Sequence, residues 1–142
     1  MNETAWQIRE AAQLCELDFA QLHGDETAEF ARGLPVPAIK AFRARDASIL
    51  ESIAAFSPDT FLLDAYDPDR AGGTGELVNL DIAAEAAKLG NMILAGGLSP
   101  DNVAQTVKAV RPYGVDVSSG VESAPGRKDH DKIRRFVSEA KK

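Results

Sequence analysis

The sequence predicts an α/β domain with a parallel sheet, in the order α(βα)5. Three observations carry this. Five short apolar runs recur along the chain, their spacing is that of a βα unit rather than of a hairpin, and amphipathic stretches with helix start signals lie between them.

A helix opens the chain, because Thr4 and Gln7 have capping-box spacing ahead of Trp6, Ile8, Ala11, Ala12 and Cys15. The first strand is expected over Phe19–His23 and the second over Pro37–Phe42. The third is expected over Thr60–Asp64, the fourth over Asn91–Ala95 and the fifth over Gly114–Ser118. Ser99-Pro100 reads as a cap followed by proline in the first turn of a helix carrying Val103, Thr106, Val107 and Val110. Ile133, Phe136, Val137 and Ala140 line a final helix, and Lys141-Lys142 suit its negative C-terminal end. The order reads as one domain over residues 1–142.

Composition narrows the function classes. The 142 residues are 44% hydrophobic and 27% charged, the balance of a globular domain. Sixteen Lys+Arg against 22 Asp+Glu give a net charge of −6, which argues against nucleic-acid or anionic-membrane binding. No run approaches the roughly 18 apolar residues of a membrane span, and the first residues carry no secretory signal, so a cytoplasmic protein is expected. The single cysteine, Cys15, allows neither an internal disulfide nor a multi-cysteine metal site, and it reads as a packed small hydrophobe. No metal or cofactor is expected.

Two architectures use such units. Length suits a flavodoxin-like doubly wound sheet. A (βα)8 barrel needs at least about 200 residues, so the chain can only be part of one, and it is the loops that favour that partial barrel.

Both folds collect function at the C-terminal ends of their strands. Gln21 and His23 share one face of the first strand, and a strand-end His serves either as a hydrogen-bonded structural group or as a catalyst. Lys40 stands in an apolar run, either within a polar network of a barrel interior or reaching an anion. Asp64 directly follows the apolar third strand, where a general acid or base is expected; burial there would favour its protonated form. The loop Gly72-Gly73-Thr74-Gly75 could be a lid or a phosphate cradle. The loops Gly96-Gly97 and Asp116 to Gly120, with Ser118 and Ser119, look like a pair built to bring backbone N–H groups and hydroxyls to a phosphate.

These stretches resemble one family closely. Gln21-Leu22-His23-Gly24-Asp25-Glu26, Ile39-Lys40-Ala41, Leu62-Leu63-Asp64 with Gly72-Gly73-Thr74-Gly75, Leu94 to Val103 and Val115 to Glu122 continuing to Pro125-Gly126-Arg127-Lys128-Asp129 match the phosphoribosylanthranilate isomerases in order. These are (βα)8 barrels of tryptophan biosynthesis. The resemblance implies an Amadori rearrangement of a phosphorylated aminoaldose to an aminoketose. It places the general acid at Asp64 and the substrate phosphate at Gly96, Gly97, Asp116, Ser118, Ser119 and Gly120, with Gln21, His23, Lys40 and Gly73 as further site candidates. The family's first-strand Lys-Ile-Cys-Gly-Ile-Thr, whose cysteine is the general base, has no counterpart, and Cys15 does not match it. Val78-Asn79-Leu80 also stands where the family has Phe-Asp-Trp. The resemblance therefore implies the last five βα units of the barrel, without a base and inactive alone. The open sheet edges would be covered by self-association or by a complementing N-terminal fragment.

Overall fold

The computed structural model describes residues 2–64 and 80–142. Five parallel strands form one sheet: β1 (Ala20–Leu22), β2 (Ala38–Arg43), β3 (Thr60–Asp64), β4 (Asn91–Ala95) and β5 (Gly114–Val115). Among the described residues their spatial order is β1-β2-β3-β4-β5. Every connection thus steps the same way across the sheet. With right-handed crossovers, that order keeps the helices on one face. A doubly wound sheet must reverse its direction once to cover both faces, so the flavodoxin-like alternative is overturned and the partial barrel stands.

The helices are α1 (Ala5–Leu14), α2 (Ala28–Arg32), α3 (Ile49–Phe56), α4 (Leu80–Ala86), α5 (Val103–Val110) and α6 (His130–Ala140). The capping box of α1 forms as expected: Thr4 Oγ1 accepts from the Gln7 N–H, and the Thr4 N–H donates to Gln7 Oε1. Its apolar stripe, however, stays exposed. Ala12 is the one buried residue of α1, and Trp6 is 64% exposed. Cys15, expected to be packed, is the exposed C-cap of this helix. The helix after β4 starts at Val103 rather than at Pro100, because Ser99 and Asn102 bond to each other's turn and hold Pro100 outside it.

Strand alternation separates two faces. On the helix-covered face, Phe42, Phe61, Leu63, Met92 and Leu94 pack with Ile53 of α3, Ala83 and Ala86 of α4 and Val110 of α5. Phe42 meets the rings of Phe56 and Phe61 edge-on, at 5.7 and 6.0 Å between centroids. A second cluster joins Leu98, Val103, Val121 and Phe136 at the β5 end. The opposite face carries the smaller set Ala41, Leu62 and Ala95, with Ile39 and Ile93. β5 is shorter than expected: the Asp116 N–H still bonds the Leu94 carbonyl, and the chain then turns away from the sheet.

A feature absent from the expected order follows β5. A two-stranded antiparallel hairpin pairs β6 (Glu122–Ala124) with β7 (Arg127–Lys128) around Pro125-Gly126. Gly126 takes φ +75°, the left-handed geometry a tight Pro-Gly turn asks for.

Candidate active site

At the C-terminal edge of the sheet lies a cavity of about 320 Å³. Its floor is the small-residue face, with Leu62 and Ala95. Gln21 and His23 enter from β1 and its end, and Asp64 from the end of β3. Gly96 and Gly97 enter after β4, and Asp116 with Ser118, Ser119 and Gly120 after β5. The structure thus brings these sequence-predicted residues around one space. Gly73 and its loop, with Val78 and Asn79, lie outside the described residues.

On one side of the cavity a carboxylate stands beside an imidazole. His23 Nε2 stands 4.0 Å from Asp64 Oδ2, with side chains 31% and 27% exposed. Asp64 is therefore only partly buried, rather than sealed among apolar neighbours as expected. His23 Nε2 itself is buried and makes no hydrogen bond among the described residues. It is aimed at the carboxylate but stops short of bonding distance.

The opposite side is built from backbone. Gly96 and Gly97 take φ +87° and +68°, which only glycine adopts without strain. Asn102 Nδ2 donates to the Gly97 carbonyl at 3.0 Å, fixing the turn from the helix side. Ser119 to Val121 form a single 3-10 turn, whose first N–H groups have no partner within the turn. Gly120 locks the two loops together: a Cβ there would come within 1.9 Å of the Leu98 carbonyl oxygen and 3.2 Å of Ser99 Cα.

Lys40 does not join this cavity. Its register partners are Leu22 and Phe61, so it lies on the helix-covered face, behind the site. The polar network expected of it does form, but not in the barrel interior. Lys40 Nζ donates to the Gly24 carbonyl and, at 2.9 Å, to Glu26 Oε2; the two side chains are 7% and 6% exposed. Glu26 also accepts from the N–H groups of Gly24 and Asn2. Burial opposes ionisation of Glu26, but the Lys40 ammonium and the backbone donors outweigh it and hold the carboxyl at about 2. The sequence reading missed Glu26 as this partner, and it missed Lys128, which reaches the Ser118 carbonyl from β7. The Pro-Gly turn signal at 125–126 could have revealed the second.

Comparison with known proteins agrees with this geometry. The family model of N-(5'-phosphoribosyl)anthranilate (PRA) isomerase matches residues 1–139. The PRA isomerase of Trichlorobacter lovleyi is 50% identical, over 99% of this chain and 69% of its own length. That of Geobacter metallireducens is also 50% identical, over 99% of this chain and 70% of its own. The chain belongs to the PRA isomerase family. The crystal structure of the PRA isomerase from Thermotoga maritima superposes with a TM-score of 0.89 at 35% identity, covering 99% of this chain and 70% of that one. A PRA isomerase solved in complex with reduced 1-(o-carboxyphenylamino)-1-deoxyribulose 5-phosphate gives a TM-score of 0.84 at 33% identity, covering 99% of this chain and 68% of that one. The chain thus spans about 70% of the length of these PRA isomerases. Cys15, the exposed C-cap of α1, does not line the cavity described above.

Proposed function

We propose that this chain supplies the general acid and the phosphate-holding loops of PRA isomerisation, the Amadori rearrangement of N-(5-phosphoribosyl)anthranilate to its aminoketose. The observation that supports this most is the convergence of Asp64 with the Gly96-Gly97 and Ser118–Gly120 loops on one cavity. Asp64, as a carboxylic acid, gives its proton to the furanose ring oxygen. The anthranilate nitrogen lone pair forms the C1=N bond as the C1–O bond breaks. A base then removes the C2 proton, and the electron pair moves between C1 and C2 to neutralise the iminium. Transfer of the C2 hydroxyl proton to C1 completes the ketone. His23 and Gln21 line the sugar side of the cavity beside Asp64. The phosphate rests on backbone N–H groups of Gly96, Gly97, Ser119 and Gly120 and on the Ser118 and Ser119 hydroxyls, with Asp116 setting the entry of that loop.

No residue around the cavity among those described is placed as the base. In this reading it comes from a complementing N-terminal segment, or from another copy, seated on the open edges of β1 and β5, in the cytoplasm. The chain alone is then inactive. The deciding experiment is an isomerase assay of the purified chain, alone and mixed with a fragment supplying the first three βα units. Activity in the mixture only is expected; activity of the chain alone overturns the missing base. In the active mixture, Asp64→Asn should lower kcat by about 10²–10⁴, the usual contribution of a positioned acid, and leave phosphate affinity unchanged. Loss of phosphate affinity in that variant contradicts the division of roles.

A further inference from the structure

The Pro125-to-Asp129 motif lies outside the cavity, and the acid and phosphate roles leave it without a task. Its structure supplies one. β7 carries Lys128 back across β6, where Nζ donates to the Ser118 carbonyl at 2.9 Å and to Glu122 Oε1 at 2.8 Å. Glu122 in turn accepts from the Gly126 N–H at the hairpin turn, and the Asp129 N–H closes on the Val121 carbonyl at 2.8 Å. The Ser118–Val121 turn is therefore gripped from behind at both ends.

A trans peptide is planar, so its C=O and the following N–H point in opposite directions. We propose that Lys128 is a positioning residue for the phosphate loop: by holding the Ser118 carbonyl outward, it turns the Ser119 N–H into the cavity. The ammonium also polarises that peptide, which makes the N–H a stronger donor to a phosphate monoester dianion. On the other loop Asn102 donates to the Gly97 carbonyl at 3.0 Å, which fixes the Gly97–Leu98 peptide. This inference rests on the reading that the loop binds phosphate.

The test is a titration of the whole chain with inorganic phosphate, followed by the amide shifts of Gly97, Ser119 and Gly120. The unsubstituted chain should respond at these amides. Lys128→Met should weaken the affinity about tenfold, the size of one charge-assisted hydrogen bond, at an unchanged denaturant midpoint. Lys128→Arg should restore most of it. In the complemented enzyme, Lys128→Met should raise KM and spare kcat, a split that general destabilisation does not produce. A response that Lys128→Met leaves unchanged overturns the inference and spares the phosphate reading. No response in the unsubstituted chain overturns both. Should Lys128→Met fail to fold, Gly126→Ala loosens the same hairpin without touching the cavity. It too should weaken phosphate binding, and unchanged affinity counts against the inference.

Discussion

At the β1 end of the cavity the turn carrying His23 is held by a buried ion pair, whereas at the β5 end the turn carrying Ser118–Gly120 is held by close backbone contact, with the more exposed Lys128–Glu122 pair behind it. Behind His23, a lysine and a glutamate, each less than a tenth exposed, form an ion pair; the glutamate also accepts from two backbone N–H groups and the lysine donates to the Gly24 carbonyl. Around Gly120, two loops touch backbone to backbone with no room for a Cβ. A buried ion pair fixes direction at a desolvation cost and depends on protonation. A glycine contact depends on neither charge nor pH. Under the proposed function, the acid needs orientation and the phosphate needs close approach of main chain, and each side of the cavity has the device that suits that role.

The largest expected effect is on the charged side. Lys40→Met leaves Glu26 buried without its cation and should destabilise the chain by about 3–5 kcal/mol, measured by urea unfolding at pH 7. A loss below about 1 kcal/mol would show that water reaches Glu26 and that charge does not hold this turn. The effect should spread to the site as a change in the His23 ring signals, because Gly24, whose carbonyl and N–H are both gripped, directly follows His23.

The next effect follows from the depressed Glu26 pKa. Its carboxyl sits at about 2 in the folded chain against a reference of 4.5. A carboxyl lowered on folding stabilises above its unfolded value, and that stability is lost as pH falls through the folded value. Unfolding free energy should therefore drop by about 3 kcal/mol between roughly pH 5 and pH 2 from this group. Lys40→Met should flatten that limb, and the two effects should not add, since both remove one pair. Glu122 and Asp129 are also shifted below their ordinary values, the first chiefly by Lys128 and the second by the Lys132 N–H. Both lie on the β5 side, so an acid limb surviving in Lys40→Met would move the charge dependence to that side.

The sequence made the shape-built side easier to read than the charge-built one. Paired glycines and serines at two successive strand ends announce close backbone approach, and β3 and β4 run over the expected residues because each is a short continuous apolar run, buried along most of its length. Lys40 stood out as a charge in an apolar run, but its face was not drawn from the alternation of Ile39, Ala41 and Phe42, and its partner lies on a turn that sequence does not bring near. Length suggested a doubly wound sheet because length does not encode strand order; the pairing of each strand with its sequence neighbour decided that. Cys15 and Trp6 had helical apolar spacing, yet periodicity says only that a face could be buried, not that the described residues supply something to bury it.

The smallest expected effect, and the one that isolates shape, comes from Gly120→Ala. The atoms nearest the added Cβ are the Leu98 carbonyl and Ser99 Cα, all backbone, so no side-chain rotation can relieve the clash. The loops must part, at a cost of about 1–3 kcal/mol for overpacking. Because no titrating group is involved, this loss should be the same at pH 3 and pH 7, while the loss from Lys40→Met shrinks as Glu26 takes up its proton. Parting the loops also widens the gap between the Gly97 and Ser119 N–H groups, so phosphate affinity should fall more than stability does. A Gly120→Ala loss that changes between pH 3 and pH 7 would mean that the Lys128–Glu122 pair, rather than the backbone contact, carries most of the hold on this turn.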